Sequence, residues 1–290
     1  MQFNLEQLGR GRLEIKNKPG RIDRILELVK QVRDGDGRDR STIASLAGLI
    51  NFAGGFVLGH HFKLGSQALN AWASTRHTNR ADVEQVCDYL EVVANAVQPK
   101  TVALHDADAP WVIYTDGAFE NQKGTWGALA YDPVTGRKLV FAGEVPACLI
   151  SFWLENVGDQ LICEIELFVY ICVRWHLRHE LKDRYGLLFI DNESSRMTLI
   201  KRSSPSNAMF LMVSLLSLLD TVLPFSAWCE RVPSASNPAD LPSRGKAQEL
   251  CDLVGATNCG TIVLPGYVLS FCQRPRFDTE LAELVKFEAA

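Results

Sequence analysis

The chain has 290 residues, 47% of them hydrophobic and 22% charged, with a formal net charge of −4. These proportions exclude a disordered chain and allow two ordinary domains or one large one. The negative balance excludes a protein that coats nucleic acid through bulk positive charge, but not an enzyme that grips it locally around bound cations.

In chain order, the first forty residues are mildly basic, with Arg10, Arg12, Lys16, Lys18, Arg21 and Arg24 close together. After the turn signal Pro19-Gly20, Ile22, Ile25, Leu26, Val29 and Val32 recur at helical spacing, and Asp34-Gly35-Asp36-Gly37 stops that helix. Ser41 is the candidate N-cap of a second helix, with Ile43, Leu46, Ala47, Ile50 and Ala53 on its inner face. Further helices are expected over 64–72 and 81–96. Residues 1–97 thus read as a small all-helical module, and 98–110, with Gln98-Pro99 and Asp106-Ala107-Asp108-Ala109-Pro110, as a linker.

The pattern then changes. Strands are expected over 111–119, 124–131 and 137–142, the last two joined by the hairpin turn Asp132-Pro133-Val134-Thr135-Gly136. A helix over 163–181 and a short buried strand over 187–191 follow. Helices over 193–201 and 207–220 lead to a last strand over 225–232. A final helix begins near Pro238 or Ala239 and reaches Val254. The order β-β-β-α-β-α-α-β-α describes one α/β domain over 111–254. Residues 255–290 read as a tail, with Asp278, Leu281, Leu284 and Val285 patterned as a short last helix. Trp126 and Trp228 lie within expected strands and read as core.

The eight cysteines are scattered, with no C-x-x-C pair, so reduced thiols in a cytoplasmic or nuclear protein are expected. No apolar run has the length of a membrane span, and the start lacks the pattern of a signal peptide, so no membrane partner is expected.

Four acids stand out. Asp116 lies in Tyr114-Thr115-Asp116-Gly117-Ala118-Phe119, and Glu166 lies on the apolar run 161–175. Asp191 closes Gly186-Leu187-Leu188-Phe189-Ile190-Asp191-Asn192, and Asp240 ends Ser236-Asn237-Pro238-Ala239-Asp240. Two of them end runs that read as buried strands. An isolated carboxylate in apolar surroundings costs several kcal/mol and is normally paired or bound to a cation. Convergence of the four on divalent metal explains them together and points to phosphodiester chemistry. Glu164 is the fallback for Glu166; the two lie two residues apart and face different sides of a helix.

This order of elements, with an acid on the first strand, the first long helix, the fourth strand and the last helix, resembles the ribonuclease H fold. The resemblance rests on Tyr114-Thr115-Asp116-Gly117-Ala118, Ile165-Glu166-Leu167, Phe189-Ile190-Asp191-Asn192 and Asn237-Pro238-Ala239-Asp240. It implies an α/β fold with a mixed five-stranded sheet flanked by helices, preceded here by the helical module. Lys18-Pro19-Gly20-Arg21-Ile22, the run 46–53 and the stretch 231–244 widen the likeness. Together they resemble the downstream half, thumb and connection plus RNase H, of a retrotransposon reverse transcriptase. No Tyr-x-Asp-Asp polymerase motif occurs, so no DNA synthesis is expected from this chain, and a separate palm is a candidate partner.

What the resemblance implies is a metal-dependent endonuclease that hydrolyses the RNA strand of RNA:DNA hybrids. Two Mg²⁺ ions, or Mn²⁺ in their place, would be held by Asp116, Glu166, Asp191 and Asp240. Asp116 would bridge both ions and Asp191 would serve the nucleophile side. Gly117, Ala118 and Asn192 are the implied contacts to nucleic acid. Lys201 and Arg202 read equally as phosphate contacts or as complements to a helix C-terminus. Two departures stand: no histidine occurs in 232–236, where relatives often carry one, and Cys163 replaces an asparagine that reads the hybrid's minor groove. A retroelement relic that binds nucleic acid or protein without cutting is the second reading.

Overall fold

A computed structural model describes residues 2–6, 8–54, 61–74, 80–96, 99–103 and 108–273. They fall into two compact units, one built on residues up to 107 with Ser217–Val222, the other on Asp108–Leu216 and the chain from Leu223. The expected helix around 278–285 lies outside the described residues.

The first unit carries strands β1 (Gln2–Asn4) and β2 (Arg12–Lys16) and helices α1 (Arg21–Asp34), α2 (Arg40–Ala53), α3 (Lys63–Ser74) and α4 (Arg80–Ala96). Strand β3 (Lys100–Ala103) follows. Ile25, Val29, Ile43, Leu46, Ile50, Leu69, Leu90 and Val93 form its core. Arg33 ties α1 to α4 through Glu84, Asp88 and Glu91. The cap of α2 is Asp39, not Ser41: the Asp39 carboxylate accepts from the Ser41 amide and the Thr42 hydroxyl.

This module is not all helical. Strands β1, β2 and β3 form an antiparallel sheet in that order, with Arg12 opposite Ala103 and Ile15 opposite Lys100. Four residues of the expected linker are therefore a strand. These strands are short, and β2 finds its partner β3 far along the chain, so no local pattern announces the pairing.

The second unit is a mixed sheet flanked by helices. Its strands are β4 (Trp111–Glu120), β5 (Lys123–Asp132), β6 (Arg137–Glu144), β7 (Arg184–Ile190), β8 (Phe225–Arg231) and β9 (Thr257–Gly260), in the order β8-β7-β4-β5-β6-β9. β4, β5 and β6 form an antiparallel meander. β7 lies parallel to β4, β8 parallel to β7 and β9 parallel to β6. The sheet has six strands rather than five because β9, inside the expected tail, adds an edge.

The helices are α5 (Ala147–Asn156), α6 (Ile162–His176), α7 (Glu193–Lys201), α8 (Asn207–Val222), whose Ser217–Val222 end falls to the first unit, α9 (Asp240–Ser243), α10 (Ala247–Val254) and α11 (Gly266–Phe271). α6 is buried on every side: every residue from Glu164 to Trp175 is buried, Glu164, Glu166 and Arg174 among them. It ends at His176, and turns over 177–183 lead into β7. α9 and α10 lie on the opposite face, where Leu250 and Cys251 pack on Leu129 and Val140. The single final helix expected there is broken, since the chain turns at Gly245 with φ 79°. α5 follows Pro146, with no helical spacing long enough to announce it.

Trp126 is buried, but Trp228 is 68% exposed. β8 is an edge strand, and its outward-facing Ser226, Trp228 and Glu230 are all exposed. No helix among the described residues is long and apolar enough to cross a membrane. None of the eight cysteines is in a disulfide.

Candidate active site

The pairing of β4 with β7 stops at Tyr114 opposite Phe189. Beyond that point β4 continues, while β7 ends at Ile190 and releases Asp191. Asp116, two residues past Tyr114, therefore lies beside the mouth of β7. The third acid arrives from α6. A Cβ on Gly117 would stand 2.7 Å from Ile165 Cγ2 and 3.2 Å from the Glu166 amide nitrogen. Glycine is thus what allows α6 to lie this close to β4. The Gly117 amide then donates to Glu166 Oε1 at 3.2 Å.

The result is three carboxylates from three elements. Asp116, Glu166 and Asp191 each offer an oxygen, and these oxygens lie within 4.8 Å of one another. Asp116 is 5% exposed and Glu166 2%. Burial pushes the Asp116 carboxyl up to about 6 despite a hydrogen bond from Ser243, and the charges of Asp191 and Asp240 push it the same way. Burial also holds Glu166 well above the usual carboxylate range, helped by Asp191 and Asp116. Glu166 Oε2 is buried without a hydrogen-bond partner. The donor set is hard oxygen, negatively charged and crowded, which suits a divalent cation with oxygen preference.

Asp240 lies outside this group. It opens α9, is partly exposed, and accepts from Arg244 Nε at 2.7 Å. Arg244 also stands 4.0 Å from Glu120. Glu164 points elsewhere too: it is buried and accepts from the Ser206 hydroxyl at 2.8 Å. The structure thus places Glu166, and not Glu164, beside Asp116 and Asp191.

The expected nucleic-acid contacts are dispersed. Gly117 is filled against α6, and Ala118 follows it on β4, half-buried. Asn192 caps α7, its side chain accepting from the Ser195 amide at 3.0 Å and the Ser195 hydroxyl at 3.1 Å. Lys201 and Arg202 lie at the other end of α7, roughly 13 Å along the helix axis. Arg202 closes α7 in the left-handed region with φ 50°. The Cys163 carbonyl accepts from Ser195.

Three polar side chains at the site were not singled out by sequence. Ser243 donates to Asp116 Oδ2, Asn237 Nδ2 reaches Asp116 Oδ1 at 3.4 Å, and Ser234 donates to Asp191 Oδ2 at 2.8 Å. Asn237 and Ser243 stand three residues before and after Asp240. Their serine and asparagine types signal turns and caps in any sequence, so only the folded arrangement distinguishes them.

No family model matches the sequence, and no curated protein matches it. Among solved structures the chain is similar to an RNase H1 from the halophilic archaeon Halobacterium salinarum NRC-1, at 14% identity and a TM-score of 0.36. That match covers 49% of this chain and 99% of the archaeal one. It is also similar to the N-terminal RNase H domain of a Mycobacterium tuberculosis protein solved as a fusion with maltose-binding protein. There the identity is 14%, the TM-score 0.31, and the coverage 50% of this chain and 99% of the other. The strand order of the second unit is β8-β7-β4-β5-β6-β9, with β4 to β6 antiparallel and β7 and β8 parallel to β4.

Proposed function

We propose that the chain is a metal-dependent endonuclease that hydrolyses the RNA strand of RNA:DNA hybrids, and that it derives from a retroelement reverse transcriptase. The observation that carries this reading is the meeting of Asp116, Glu166 and Asp191 within 4.8 Å, with one buried Glu166 oxygen left unpartnered. Three adjacent anions and an orphan oxygen are costly without a cation, so the cluster fits divalent metal. The named solved structures, both RNase H, fit the same activity.

Asp116, Glu166 and Asp191 would hold the ions, Mg²⁺ or Mn²⁺, with Asp240 as the fourth acid. Bound there, such ions would lower the pKa of a water and offset charge on the leaving oxygen. The protein's own part is to fix the ligands. Gly117 orients Glu166 through its amide, Ser234 holds Asp191, and the sheet sets the spacing between strands. In this reading Gly117, Ala118, Asn192, Lys201 and Arg202 would contact the hybrid, and a separate palm would be a candidate protein partner.

The test is incubation of the purified chain with labelled RNA:DNA hybrid, double-stranded RNA, duplex DNA and single strands, in Mg²⁺, Mn²⁺ or EDTA. Metal-dependent cutting of the hybrid's RNA alone is expected. Cutting of DNA instead would sink the assignment. The second reading, a relic that binds without cutting, is favoured by the engagement of Asp240 with Arg244. Hybrid binding with no cleavage in either metal would establish it.

A further inference from the structure

Asp116 is held by the segment that was expected only to deliver Asp240. Asn237 and Ser243 are 5% and 1% exposed, and both reach the same carboxylate. Asn237 uses one amide hydrogen toward Asp116 Oδ1 at 3.4 Å and the other toward the Thr115 carbonyl at 3.0 Å. Its own oxygen accepts from the Ala239 amide at 3.2 Å, which fixes which end of the amide faces β4. The Ser243 hydroxyl stands between Asp116 Oδ2 and the Asp240 carbonyl, 3.0 Å from the latter. It has a single proton, and the carboxylate is the stronger acceptor.

The backbone beneath is equally close. A Cβ on Gly127, the residue opposite Asp116 on β5, would stand 2.7 Å from the Pro242 carbonyl carbon. Only glycine lets α9 settle onto the sheet so that Ser243 reaches β4. Each Asp116 oxygen thus takes one hydrogen bond from this segment and keeps a second lone pair. Without these donors, repulsion from Glu166 and Asp191 would favour a rotamer turned away from them.

We propose that Asn237 and Ser243 are positioning residues that clamp Asp116 toward Glu166 and Asp191, so that the three acids form a preformed divalent-cation site. The segment 237–243 then contributes by orienting Asp116 as well as by carrying Asp240, whose carboxylate pairs with Arg244. This inference rests on the cation-binding part of the reading above and not on hybrid cleavage.

The experiment is thermal melting of the full chain against MgCl₂ and MnCl₂ concentration, with the EDTA melt as the check on folding. The variants are S243A, S243C, D116N and D116N/S243A. Ligand stabilisation grows with the logarithm of metal concentration, so the metal midpoint is taken as the concentration that raises the melt by a fixed amount over EDTA. In S243A it is expected to rise about 10- to 100-fold, the usual cost of losing a group that orients a ligand. S243C keeps the volume and a weak donor and shifts less; it decides the matter if S243A does not fold. In D116N neither metal stabilises, and adding S243A changes nothing more. A merely structural Ser243 would lower the EDTA melt and leave the metal midpoint in place. An unmoved midpoint in folded S243A overturns the clamp, as does a wild-type chain that neither metal stabilises. A chain that binds metal with a shifted midpoint in S243A, yet cuts no hybrid, overturns the nuclease reading and leaves the clamp standing.

Discussion

Asp132 closes β5 and Asp116 lies toward the other end of the same sheet, on β4; both are almost fully buried. Asp132 accepts from the Thr135 hydroxyl at 2.8 Å, the Val134 amide at 3.2 Å and the Arg184 guanidinium at 3.2 Å. Burial pushes its carboxyl up, but these donors together hold it below the usual range. Asp116 is buried to a similar degree, and its neighbours are two more carboxylates. Its carboxyl is pushed up to about 6. A buried acid by itself is therefore no sign of function. What separates the two is whether the protein supplies the counter-charge. At Asp132 it does, through Arg184. At Asp116 the neighbours are two more carboxylates, and in the proposed reading the countercharge is a bound cation.

The sharpest way to break this contrast is to neutralise each acid. D116N, E166Q and D191N should each lower metal-dependent hybrid cleavage about 1,000-fold or more, the several kcal/mol a bound divalent ion contributes. D132N should cut normally once folded. D240N should cost far less than D116N, since the Asp240 carboxylate is engaged with Arg244. Gel assays with end-labelled hybrid measure all five, and normal cleavage by D116N would end the site assignment.

Stability should move in the opposite sense. D132N leaves Arg184 short of its buried partner and should lose about 3 kcal/mol in urea unfolding. D116N in EDTA at pH 8 should gain up to about 3 kcal/mol over wild type. The folded-state value of about 6 lies above the unfolded one, so the folded chain holds this proton more tightly. The stability it contributes is complete at acid pH and is lost as pH rises through about 6. The D116N advantage should accordingly vanish as the pH is lowered toward 4. Asp132, held low, contributes stability at neutral pH that is lost on acidification. A D116N chain less stable than wild type at pH 8 would show that the acids are not in conflict.

A smaller effect refines the comparison along one helix. Glu164 and Glu166 are equally buried, but Glu164 has Ser206 as donor and Glu166 has an oxygen with none. E164Q should therefore change stability by about 1 kcal/mol or less and leave cleavage within a few-fold, whereas E166Q abolishes it. Equal loss in both would mean that the two carboxylates share one role.

Much of the second unit was legible from pattern. The strands expected over 111–119 and 124–131, the hairpin turn at 132–136 and the continuous apolar strand at 187–191 each carry a local signal, and each strand formed within a few residues of its expected bounds. Three of the four acids sat where strand and helix ends would bring them together. The first unit was less legible, because β1, β2 and β3 are short and their pairing is non-local. Trp228 misled because a strand's position in the sheet, edge or centre, is not written in its own residues.

Sequence by itself determined the main strands and long helices of the second unit and the four acids, because periodicity, turn chemistry and the cost of burying charge all act over a few residues. It marked Gly117 only as a nucleic-acid contact; the packing of α6 on that glycine came from the fold. Only the tertiary structure decided which acids meet and which does not. It placed Asn237 and Ser243 on Asp116, turned Glu164 to Ser206, and held Asp240 on Arg244. The reason is physical: a side chain's partners are fixed by how sheets and helices pack across the chain, and a hydrogen bond of about 3 Å tolerates no error that local propensity could leave.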